Sequence, residues 1–68
     1  MLRRSALRNR YTSQYGQIVI KGTIDDIIQK WDVLAYGAES AEDTPTSHIY
    51  RQHADHWRRM KNENQNAA

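Results

Sequence analysis

The chain has no cysteine and no phenylalanine, a single proline and three glycines in 68 residues. Without cysteine there are no disulfide staples and no thiolate metal sites. No apolar run approaches the roughly 18 residues that a membrane span requires. Nor does an apolar signal-peptide core follow the charged start. These absences point to a cytoplasmic protein with no membrane attachment. A chain this short has room for one domain, which buries only about 60% of its unfolded surface. Such a core contributes roughly 3–5 kcal/mol, so a second copy or a larger partner would add to its stability.

The first 24 residues lack acid altogether. They carry Arg3, Arg4, Arg8, Arg10 and Lys21, whereas from Asp25 onward five basic residues stand against eight acidic ones, for a net charge of +2 overall. A basic arm on an acidic body is the pattern of proteins that grip phosphate backbones. Two other readings of the arm stay open. One is a solvated tail with no partner. The other is an organelle transit peptide, since Leu2, Ala6 and Leu7 are interleaved with the arginines.

Residues 1–14 read as this flexible basic arm, 15–62 as the folded domain and 63–68 as a frayed tail. Gln17 to Lys21 is a β-branched run between Gly16 and Gly22, the composition of a strand. No second strand candidate is evident, so its backbone groups must be satisfied along the helices or by a partner, such as its own copy in a second subunit. Thr23 is a good N-cap, with Asp26 at the third helical position to close a capping box. From there Ile24, Ile27, Ile28, Trp31, Leu34, Ala35 and Ala38 recur on one face of a helix expected over 24–41. Val33 and Tyr36 lie off that stripe. Thr44 before Pro45 predicts the N-cap of a second helix over 45–61. Its apolar side collects Ile49, Tyr50, His53, Ala54, Trp57 and Met60, and Arg51, Asp55, Arg58 and Arg59 take the other side. So short a connection makes the helices antiparallel neighbours. Ile24, Ile28, Trp31, Leu34, Tyr50, His53 and Trp57 are the expected core or interface.

The succession Ile20-Lys21-Gly22-Thr23, Ile28 to Trp31, Leu34-Ala35, then Tyr50 followed by Gln52-His53-Ala54-Asp55-His56-Trp57 resembles the alphaproteobacterial family called domain of unknown function 4167. The likeness runs from about Asn9 to Met60. It implies a bacterial cytoplasmic protein in which an Arg-rich N-terminal region leads to an extended segment and a helical hairpin similar to one tetratricopeptide unit. It also implies a suspected RNA-binding role and no assigned chemistry. The chain departs from the family in having Glu42-Asp43 at the inter-helix turn, where Gly-Asp is more usual, and in its short arm and tail.

His48, His53 and His56 raise the question of a metal. A closed zinc site needs four ligands, and neither cysteine nor a well-placed glutamate completes the set. His53 falls mid-stripe and reads better as a core histidine bonded to a backbone carbonyl or a tyrosine, with His56 at the stripe's edge. No nucleophile–base spacing, Gly-rich phosphate loop or carboxylate pair suggests catalysis. The expectation is therefore a mainly α protein, an antiparallel helical hairpin behind a short extended segment and a basic arm, without cofactor or small-molecule substrate. Its expected role is non-catalytic RNA binding or ribosome association. Arg3, Arg4, Arg8, Arg10 and Lys21 would meet phosphates, Tyr11 and Tyr15 would stack on bases, and Arg58, Arg59 and Lys61 would form a second basic spot. The alternative is a protein-interaction module, with a homodimer burying Trp31, Trp57 and Tyr50 in a four-helix arrangement.

Overall fold

A computed structural model describes residues 9–66. Arg3, Arg4 and Arg8 lie outside the described residues. Two short strands come first, β1 at Tyr11–Tyr15 and β2 at Ile18–Gly22, followed by helices α1 at Ile24–Ser40 and α2 at Thr44–Asn66. The fold is mainly helical, two packed helices preceded by an antiparallel β-hairpin.

The β-hairpin corrects one expectation. The segment Ile18–Gly22 does not need a partner subunit, because Tyr11–Tyr15, assigned above to the arm, pairs with it, from Tyr11 opposite Gly22 to Tyr15 opposite Ile18. Gly16 and Gln17 form the two-residue loop, and Gly16 takes φ +58°. A glycine at the first loop position is the type II′ pattern, whose twist matches that of paired strands. Alternation then sorts the side chains. Ser13 and Ile20 turn inward and are buried, while Thr12, Gln14, Val19 and Lys21 face out.

Helix α1 begins as its sequence predicts. The Thr23 hydroxyl accepts from the Asp26 amide, and the Asp26 carboxylate accepts from the Thr23 amide at 3.1 Å. Gly22 sits directly beneath this cap at φ +155°, and a Cβ there would come within 2.7 Å of the Asp26 side chain. Only glycine fits both demands. The far end closes with a Schellman motif: the Asp43 amide donates to the Ala38 carbonyl at 2.8 Å and the Glu42 amide to that of Glu39 at 2.9 Å. Glu42 itself takes φ +60°.

Asp43, not Thr44, caps α2, since its carboxylate accepts from the Thr46 amide at 3.3 Å and its carbonyl from the Ser47 amide at 3.0 Å. Asp43 thus ends one helix and starts the next. Helix α2 continues past the expected Lys61 to Asn66, overlapping the segment read as a frayed tail.

The core is Ile20, Ile24, Ile27, Trp31, Ala54 and Trp57, with Tyr11, Ile18, Ile28, Leu34, Tyr50 and Met60 packed around it. The β-hairpin roofs the groove between the helices. Trp31 is fully buried and Trp57 is 8% exposed. The need that suggested a four-helix dimer, cover for two tryptophans, is met within one chain.

Candidate functional site

The two tryptophans converge on one atom. The Trp31 Nε1–H donates to Ser13 Oγ at 3.0 Å, and the Trp57 Nε1–H donates to the same oxygen at 3.2 Å. A hydroxyl oxygen has two acceptor positions, so one serine satisfies both buried indole donors. Ser13 is 5% exposed and comes from β1, which ties strand to both helices. Sequence reading missed this role because a serine in a polar stretch carries no apolar signal.

His53 lies on the same floor. Its ring stacks on Trp31, with centroids 4.4 Å apart and planes 14° apart, and the tilted Tyr15 ring lies 5.3 Å away. It makes no hydrogen bond with a carbonyl or a tyrosine among the described residues, contrary to expectation; ring contact holds it. Burial, and secondarily the nearby His56, lower its pKa below the ordinary 6.5. This favours the neutral ring, which has one donor and one acceptor nitrogen. His56 is exposed and stands edge-on to Trp57 at 5.7 Å.

Thr12, Ser13 and Gln14 of β1 and Gln52, His53, His56 and Trp57 of α2 line an open groove of about 460 Å³. Among the described residues, no Asp, Glu, Lys or Arg lines it.

The basic residues divide into two groups. Arg51 pairs with Glu39, Arg58 with Asp32, and Lys61 with Asp25 at 2.6 Å, each joining α2 to α1. Asp25, Asp32 and Glu39 are spaced by seven residues, as are Arg51 and Arg58. Seven residues is close to two helical turns, so the pairs form a ladder along one seam. Arg59 pairs with Asp55 at 3.2 Å. The proposed second basic spot, Arg58, Arg59 and Lys61, is thus occupied by the domain's own carboxylates.

Arg10 and Lys21 differ. Both are exposed, and neither makes an ion pair among the described residues; the exposed Lys30 of α1 likewise makes none. Lys21 projects from the outer face opposite Thr12, and Arg10 precedes the strand. Tyr11 packs on Trp57 with centroids at 5.6 Å, and Tyr15 is 42% exposed over His53. These two tyrosines are therefore partly committed to the fold.

A family model, Domain of unknown function (DUF4167), matches residues 3–67. The chain belongs to this family. No curated protein and no solved structure matches it. Among the described residues of this DUF4167 domain, no helix is long and apolar enough to cross a membrane.

Proposed function

We propose that this domain is a non-catalytic RNA-binding or ribosome-associated module of the cytoplasm, acting through its acid-free N-terminal segment. The supporting observation is how charge is used within the domain. Arg51, Arg58, Arg59 and Lys61 are taken up by Glu39, Asp32, Asp55 and Asp25, whereas Arg10, Lys21 and, on α1, Lys30 are left without an ion pair among the described residues. Cations already held by carboxylates release few counterions on meeting a phosphate chain, and unpaired ones release more. Arg3, Arg4 and Arg8, which precede Arg10 without any acid between them, extend the same charge.

The test is binding of the full chain to a labelled RNA over a range of salt. Five contacts, from Arg3, Arg4, Arg8, Arg10 and Lys21, correspond to a log–log slope of about −3.5 on a single strand. Deleting residues 1–10 should leave helicity by circular dichroism intact and remove most of that slope. Equal affinity with and without the arm would overturn the reading.

A second reading, an assembly module, is favoured by Val33 and Tyr36, which are 62% and 72% exposed on neighbouring turns of α1. Its measurement is sedimentation: a concentration-dependent dimer lost on Val33→Ser with Tyr36→Ser supports it, and a monomer at high micromolar concentration excludes it.

A further inference from the structure

The groove between β1 and α2 has a chemical character of its own. Gln52, His53 and His56 of α2 bring a primary amide and two imidazoles to it, and Thr12, Ser13 and Gln14 of β1 form its other side. Thr12, Gln52, His53 and His56 make no side-chain hydrogen bond among the described residues, and Gln14 makes only a long one, 3.4 Å, to the Gly16 carbonyl. On the floor, His53 contacts the Trp31 and Tyr15 rings and Trp57 is tied to Ser13. Amide and imidazole groups beside the Trp57 ring suit a flat, hydrogen-bonding group. Among the described residues, no third His, Cys, Asp or Glu joins the two imidazoles to complete a metal site. The volume, about 460 Å³, falls within the roughly 300–1,000 Å³ of small-ligand sites.

The rim is different from the walls. Lys21 stands opposite Thr12 in the hairpin register, and Arg10 lies just before β1. Two cations without an ion pair among the described residues therefore lie on or next to the hairpin that forms one side of the groove. A ligand that alternates anionic links with flat neutral rings matches both parts, and a nucleic acid strand is such a ligand. A neutral peptide would leave the cations unused.

We infer that this groove takes an unpaired nucleobase, with the adjoining phosphates at Arg10 and Lys21, so that the domain prefers single-stranded RNA to duplex. The inference rests on the RNA-binding reading above. A base in a duplex has its hydrogen-bonding edge occupied and its faces stacked, and only a single strand presents one to a side groove.

The experiment uses the full chain, a short labelled single-stranded RNA and the corresponding duplex, measured by fluorescence anisotropy. Gln52→Ala combined with His56→Ala alters two exposed groove residues, and an unchanged thermal melt would verify the fold. A second variant, His53→Phe, keeps a ring against Trp31 and removes both nitrogens. The expected result is a wild-type preference for the single strand. Both variants should lose about tenfold in single-strand affinity, the scale of one base contact, with duplex affinity and salt slope unchanged. Quenching of tryptophan fluorescence by the single strand should weaken in step. If wild type binds both RNAs equally and the variants match it, the groove inference fails while the arm reading stands. A groove that serves a peptide gives this same failing result. If wild type binds neither RNA, both readings fall together.

Discussion

Ser13 holds more of this fold than its size suggests. Its oxygen is the acceptor for both indole N–H groups, so Ser13→Ala strands two donors in a buried site. An unsatisfied buried donor costs roughly 1–3 kcal/mol. The expected loss is about 2–4 kcal/mol by urea denaturation, with a change in tryptophan emission, and a loss below about 0.5 kcal/mol would contradict the shared-acceptor geometry. His53 predicts a pH effect. Its pKa is lowered in the folded state, by burial first and then by His56, so the unfolded chain takes up the proton more readily. Its contribution is complete above the unfolded value near 6.5 and is lost as pH falls through the lower folded value. Melting temperature should therefore drop on acidification below about 6.5, and less so in His53→Phe. Of this residue-scale chemistry, sequence spacing conveyed that His53 belongs with the core. It did not convey that rings rather than a hydrogen bond hold it, because its neighbours Trp31 and Tyr15 come from other elements.

Among the elements, α1 was the most legible. Thr23, Asp26 and the apolar stripe are local signals, and cap and face both follow from them. Strand β1 was not. Tyr-Thr-Ser-Gln-Tyr alternates, but its inward centre is a serine, so apolar periodicity missed it. The one usable cue was Gly16-Gln17 as a two-residue loop, and it required treating Gly16 as a turn residue rather than a boundary. The inter-helix turn carries the third prediction. Glu42 takes φ +60° at the C′ position of the Schellman motif, where a residue with a Cβ costs about 1–2 kcal/mol relative to glycine. Glu42→Gly should raise stability by about 1 kcal/mol, read as a higher denaturation midpoint at unchanged slope. A decrease would show that the Glu42 side chain contributes more than its backbone strain costs.

For the whole molecule, the separation of charge is the main feature. The inter-helix ladder of Glu39–Arg51, Asp32–Arg58 and Asp25–Lys61 lies on the surface, and each exposed pair contributes about 0–1 kcal/mol. Its larger effect is to pair the cations of α2, leaving Arg10, Lys21 and Lys30 without an ion pair among the described residues. Folding and binding should therefore respond differently to salt. Raising ionic strength from 50 to 200 mM should lower the melting temperature only slightly while reducing RNA affinity by about a hundredfold, the consequence of five phosphate contacts. A steep loss of melting temperature over the same range would mean that the ladder, not the core, stabilises the hairpin.

By itself the sequence determined the two helices, their antiparallel packing, the cap at Thr23 and the asymmetry of charge. Each of these depends on residues a few positions apart, or on simple counts. Tertiary structure alone decided which bases are free and which are held, since Arg58 and Asp32 are 26 residues apart. It also decided that the tyrosine strand roofs the core, and that Ser13 accepts from an indole 44 residues away. Contacts over such separations leave no periodic trace in the chain, and they exist only once the hairpin has closed.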